Sequence, residues 1–143
     1  MQVARIDHVH VEVSDRDTAA DWFDAVLGLK RHADLAHWAD DPMGPLILCA
    51  GDGAPALSLF ARPGKPVSRD STIAFRTTAT GFLRFVADAG ALNVTSDGAT
   101  PLTRGDIVDH DVAWSIYFVD PDQNRFELTT YDYNDVRAAL RER

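Results

Sequence analysis

The chain has one cysteine, Cys49, so no intramolecular disulfide can staple it, and no neighbour in sequence would activate the thiol as a nucleophile. It reads as a small buried hydrophobe. No apolar run approaches the ~20 residues of a membrane-spanning helix. Positive charge is scarce: 14 Lys and Arg stand against 22 Asp and Glu, a formal net charge of -8. That leaves no basic patch to neutralise nucleic-acid phosphates or an anionic membrane surface. No Gly-rich loop precedes a helix, so a nucleotide-dependent reaction has no support. The N-terminus lacks a basic segment followed by an apolar run, so no signal peptide is read there and the expected location is the cytoplasm. The partners that remain are small molecules and other protein chains.

What is present describes a soluble globule: 143 residues, 45% hydrophobic and 25% charged, enough for one domain with a real core. The stretch Ile6-Asp7-His8-Val9-His10-Val11-Glu12-Val13 alternates without a fault. Side chains of a strand point to opposite faces in turn, so Val9, Val11 and Val13 share one face and His8, His10 and Glu12 the other. Three side chains able to bind a metal thus stand on one side of a core strand. The plainer interpretation is an edge strand with a wet polar face.

Ser14 to Asp17 supplies N-cap candidates, Ala19, Trp22, Phe23, Val26 and Leu27 follow at helical spacing, and Gly28 ends the helix. Trp22 and Phe23 belong to the face that packs on the sheet. Leu29 to Trp38 reads as a short strand and a turn, with His32, His37 and Trp38 on surface loop or edge strand. Asp41-Pro42-Met43-Gly44-Pro45 is a break, and Leu46 to Ala50 and Ala56 to Phe60 form a hairpin around Gly51-Asp52-Gly53. Arg62 to Pro66 looks like a linker.

The same order then recurs. Thr72 to Thr77 is a strand, Thr78 or Thr80 caps a helix through Phe82, Phe85, Val86 and Ala89, and Gly90 ends it. After an irregular stretch, Trp114 to Val119 and Arg125 to Tyr131 flank the turn Asp120-Pro121-Asp122-Gln123-Asn124. The tail, 134–143, is a short docked helix. The expected fold class is therefore α+β: two βαβββ modules, helices outside, forming a curved mixed sheet around a cavity. Module one spans about 1–62, the linker about 63–70, module two about 71–131 and the C-terminal helix about 134–143. Overlaying the modules puts Thr72 where His8 stands and Ser58 where Glu127 stands.

Ile6-Asp7-His8-Val9, the helix from Trp22-Phe23 to Leu27-Gly28-Leu29, and Ser115 to Leu128 resemble the vicinal oxygen chelate superfamily. That group includes glyoxalase I, type I extradiol dioxygenases, fosfomycin-resistance enzymes and bleomycin-resistance proteins. The resemblance covers nearly all the chain, the turn and the Glu127 strand being its most specific part. It implies a cup-shaped cavity, a homodimer and a small-molecule substrate or ligand. In metal-dependent members the ligands come from the first strand of each module and the last strand of one or both. Those positions here are His8, Ser58, Thr72 and Glu127, so the usual second-module histidine is missing.

Two alternatives stay open. His10 can replace the missing ligand, since histidines at i and i+2 on one face can reach one ion; with His8 and Glu127 it makes a two-histidine, one-carboxylate set for iron(II), manganese or zinc. The protein is then an enzyme of the glyoxalase or dioxygenase type that chelates adjacent substrate oxygens. Otherwise no cofactor is used, and the pocket is a metal-free binding site of the bleomycin-resistance type, with Glu12 or Arg76 balancing Glu127. The resemblance to the ring-cleaving dioxygenases also marks Tyr117 and His110 as candidates to orient a substrate oxygen and move its proton. Their plainer roles are a strand aromatic and a solvated loop residue.

Overall fold

Val11 and Val13, Leu57 and Leu59, Leu46 and Leu48 are buried on one side of a sheet that a helix covers with Ala19, Ala20, Phe23 and Val26. This is the first of two compact units, Met1–Val67 and Ser68–Arg143. The computed structural model describes residues 1–2, 4–64 and 71–142. Each unit is a βαβββ module, as expected. In the first, β1 (Val9–Val13), α1 (Arg16–Leu27), β2 (Lys30–Arg31), β3 (Leu46–Cys49) and β4 (Pro55–Ala61) form a sheet of order β1-β4-β3-β2. In the second, β5 (Thr72–Arg76), α2 (Ala79–Asp88), β6 (Val108–Asp109), β7 (Trp114–Val119) and β8 (Arg125–Thr130) repeat that order as β5-β8-β7-β6. Residues 65–70 of the expected linker lie outside the described residues. Among the described residues no helix is long and apolar enough to cross a membrane.

The helix signals worked for α1. Asp15 is its N-cap, accepting from the Thr18 N–H at 2.7 Å, and Gly28 closes it in the left-handed region at φ 67°. Its N–H bonds the Asp24 carbonyl and that of Leu29 bonds Phe23, which satisfies two orphan carbonyls. The second helix corrects the expectation at its C-terminus. Thr78 caps the start, but Ala89, in right-handed conformation, follows the end, and Gly90 is not among the positive-φ residues. The left-handed residue comes later, at Asn93 (φ 53°), and the Val94 N–H returns to the Ala89 carbonyl. Asparagine tolerates this region because its side chain can bond locally.

The turn expected before Trp38 is instead a 3-10 helix, Ala33–Asp40, with no buried residue. It is held from outside. Half-buried Arg16, in the first turn of α1, donates through Nη2 to the Ala39 carbonyl at 3.0 Å and through Nη1 to those of Asp41, at 3.0 Å, and Gly44. Gly44 lies so close that an added Cβ would stand 2.3 Å from the Trp38 carbonyl oxygen. In module two, Phe82, Phe85 and Val86 of α2 pack on Phe118, Phe126 and Leu128. The tail helix α3 (Tyr133–Arg141) buries Val136 and stacks Tyr133 on Trp114 at 5.1 Å. Its N-cap residue, Asp132, reaches across to accept the Ala79 N–H that starts α2.

Asp120 closes the turn between β7 and β8. Only 2% exposed, it accepts from the Asn124 backbone N–H and side-chain Nδ2, both at 2.8 Å, while its own N–H bonds the Asn124 carbonyl. Burial outweighs these bonds and pushes its carboxyl up from 3.8 to about 6. The folded state thus holds this proton more tightly than the unfolded chain. Its stabilising contribution is complete below about pH 4 and is lost as pH rises through about 6.

Two outcomes follow from these contacts. Arg16→Ala should lower stability in urea unfolding by about 1–3 kcal/mol, with Arg16→Lys recovering only part because a single ammonium cannot fork across three carbonyls. An unchanged midpoint in Arg16→Ala would show that residues 39–44 hold themselves. For Asp120→Asn, which keeps an oxygen for the Asn124 N–H, the stability difference from the parent should shift in the variant's favour by about 3 kcal/mol between pH 4 and pH 7. A difference constant across that range would refute the raised carboxyl.

Candidate functional site

Alternation in the strands leaves one face of each sheet uncovered by its own helix. In the first module, residues paired side by side share that face, which puts His10 beside Ser58 and Glu12 beside Phe60 in the parallel β1–β4 ladder. His10 is exposed and lies against the Phe60 ring, centroids 4.1 Å apart. Arg62 covers the same phenylalanine at 5.3 Å. His8 stands one residue before β1, exposed, with Nδ1 2.8 Å from the Asp7 carboxylate. A carboxylate only accepts, so this nitrogen carries a hydrogen, and in the neutral imidazole Nε2 then has the lone pair.

The second module has the same face with different residues. The β5–β8 ladder pairs Thr72 with Arg125, Ala74 with Glu127 and Arg76 with Thr129. These registers agree with the overlay read from the sequence: Thr72 occupies the place of His8, and Glu127 that of Ser58. His10 therefore corresponds to Ala74. Arg76, in the place of Glu12, lies over the Tyr131 ring at 5.0 Å.

In β7, Tyr117 pairs with Glu127 and Ser115 with Thr129 across the antiparallel ladder. Half-buried Glu127 is held by one oxygen: the Ser115 hydroxyl donates to Oε1 at 2.6 Å. Ser115 also lies 3.1 Å from the Thr129 hydroxyl, which is 3.3 Å from the Trp114 carbonyl. The Tyr117 hydroxyl and His110 Nε2 are 3.2 Å apart. His110 reaches there from a tight turn, where its N–H bonds the Ala113 carbonyl and Asp111 takes a positive φ of 66°.

The structure thus brings together three of the five residues expected from the sequence. Tyr117 links His110, as hydrogen-bond partner, to Glu127, as cross-strand partner. His8 and His10 share a face in module one. Among the described residues, no three or more His, Cys, Asp or Glu side chains stand close enough to hold a metal ion. Ser115 was missed. A serine inside an apolar strand carries no signal in sequence, and only the β7–β8 register sets it diagonal to Glu127.

At the level of single donors, the chemistry fits a divalent transition ion at two positions. His8 offers Nε2 with its other nitrogen fixed by Asp7, and Glu127 offers Oε2 with its other oxygen fixed by Ser115. Imidazole and carboxylate suit iron(II), manganese and zinc alike. Ser58 and Thr72 supply only hydroxyls, which are poor ligands.

No family model matches the chain, and no curated protein sequence matches it. Solved structures do. Oxidase ChaP-H2 superposes with a TM-score of 0.67 at 19% identity, over 90% of this chain and 94% of its own. A glyoxalase/dioxygenase from Nostoc punctiforme gives 0.63 at 20% identity, over 90% and 91%. The fosfomycin resistance protein FosX from Listeria monocytogenes gives 0.65 at 16% identity, over 94% and 99%. At such identities the likeness concerns the backbone, and a scaffold shared by an oxidase and a resistance protein does not choose between activities. With paired βαβββ modules of identical strand order and these neighbours, the chain has the vicinal oxygen chelate fold.

Proposed function

We propose that the protein is a small-molecule enzyme that binds a divalent metal through His8 and Glu127, with His10 completing a two-histidine, one-carboxylate set, and acts on a substrate bearing two adjacent oxygens. One observation carries this reading. Each of the two residues at the ligand positions has one donor atom tied to a polar partner and the other left for a ligand, the arrangement that orients metal-binding side chains. Bound there, the ion would act as a Lewis acid on the substrate oxygens.

The protein's own groups do the rest. Tyr117, 36% exposed on the uncovered face, presents a hydroxyl that can orient a substrate oxygen. With its Nε2 unprotonated, His110 accepts the hydrogen of that hydroxyl, so a proton taken up by Tyr117 can pass to the imidazole and on to solvent. The dyad is fully contained in module two and does not depend on the metal. On the other module, the His10–Phe60–Arg62 column offers a cation and flat ring surfaces.

A second reading, a metal-free binding protein for a small molecule, is favoured by Thr72 and Ala74 on the strand beside Glu127 and by the fact that, among the described residues, no three His, Cys, Asp or Glu side chains are grouped. Metal binding separates the two. Protein purified without chelator and titrated with manganese, iron(II) and zinc should take up about one ion per chain, with affinity reduced at least about tenfold in His8→Ala and in Glu127→Ala. Thr72→His should tighten binding. Retained affinity in His10→Ala would remove that residue from the set, and no uptake by the parent would overturn the enzyme reading in favour of the binding protein.

A further inference from the structure

The side of the module-two sheet turned away from Glu127 and Tyr117 carries a concavity of its own. Trp114 precedes Ser115 in β7, so its indole stands on the opposite side of the strand, where it stacks on Tyr133 of α3. A cleft of about 600 Å³ opens there, lined by Asp109, Asp111 and Trp114 and, from α3, by Tyr133, Arg137, Leu140 and Arg141. That volume is in the range of small-molecule sites. All of these residues belong to the second unit.

Two elements set its charges. On α3, Tyr133, Arg137 and Arg141 follow at four-residue spacing and form one row. Like charges so placed destabilise a helix, and cations are scarce in this chain, 14 Lys and Arg against 22 Asp and Glu. Yet among the described residues neither guanidinium makes a hydrogen bond or ion pair. On the other wall Asp109 is committed: the Tyr133 hydroxyl lies 2.8 Å from both its oxygens, and the Asp111 N–H donates to Oδ1 at 2.8 Å. Asp111 is different. It is exposed, held at a positive φ of 66° in the turn between β6 and β7, and its carboxylate has no hydrogen bond or ion pair among the described residues. Two unpaired cations and one unpaired anion therefore open onto one volume, with Leu140 and the Trp114 indole, fixed by its Nε1 donating to the Tyr133 carbonyl at 3.0 Å, as apolar lining. We infer that this cleft binds a small zwitterion of the α-amino-acid class, its carboxylate held by Arg137 and Arg141, its ammonium by Asp111 and its side chain against Trp114 and Leu140. A planar carboxylate matches the fork of a guanidinium, and a ligand of one charge only would leave half of the site unpaired. The inference does not depend on the metal reading above.

The Trp114 indole N–H, assigned by the loss of its signal in Trp114→Phe, is a reporter inside the cleft for proton–nitrogen NMR spectra of the full chain. Titration with L-leucine should shift that signal saturably, with a dissociation constant in the millimolar range. The probes 4-methylpentanoate, which lacks the ammonium, and 3-methylbutylamine, which lacks the carboxylate, should each bind at least about tenfold more weakly. Joint replacement Arg137→Gln and Arg141→Gln should weaken leucine binding by about tenfold or more, and Asp111→Asn should weaken leucine while leaving 4-methylpentanoate unchanged. If the double variant does not fold, Arg137→Gln alone carries the test, with a smaller loss. No saturable shift with leucine would overturn the inference. So would 4-methylpentanoate binding as tightly as leucine, or leucine affinity unchanged in the arginine variants.

Discussion

In each module the first strand is hydrogen-bonded in parallel to the last, and this pairing decides which chemistry can exist on the sheet. Parallel neighbours cannot be joined by a tight turn. The whole of α1, β2 and β3 must therefore be threaded between β1 and β4, and the same holds from β5 to β8. The helix that makes the crossover covers one sheet face with Phe23 or Phe82 and leaves the other face to different contacts. Because side chains alternate, the register of that one ladder then sets which polar residues stand side by side on the other face. In module one it sets His10 beside Ser58, and in module two it sets Glu127 beside Ala74.

The antiparallel partner strand adds the second level of control. Its register descends from the turn at 120–124, closed by a carboxylate taken almost wholly out of water. Burial at that point costs free energy at neutral pH, and the return is a hairpin whose five-residue connection has little freedom to slip. A slip of one residue would move Tyr117 and Ser115 to the helix side and bring Ile116 to face Glu127. The tight turn thus governs which groups surround the glutamate.

Much of the fold was legible in the sequence because it was written in local chemistry. Asp15 and Gly28 bracket α1 by satisfying orphan backbone groups, alternating valines mark β1, and the recurrence of the same order exposes the two modules. Where local rules failed, a longer contact had won. Gly90 reads as a helix stop by analogy with Gly28, whereas it does not take the positive φ of Gly28 and the left-handed residue of that turn is Asn93. The segment 33–40 looked like a turn because its residues are polar and mixed; it becomes a 3-10 helix braced by Arg16 from another element.

For the site, the sequence by itself determined the residue types: a histidine before β1, a glutamate in β8, a threonine where a histidine would match, and the tyrosine that could work beside them. Spacing along a strand is enough to show which of these share a face. Only the tertiary structure decided their partners, since hydrogen bonds such as those of Ser115 to Glu127 and His110 to Tyr117 join residues 12 and 7 positions apart in the chain. Such contacts depend on the register of two strands and the shape of one turn. Neither is encoded in any short run of residues, so a buried serine that reads as filler in the sequence becomes, once β7 lies against β8, the group that holds the glutamate.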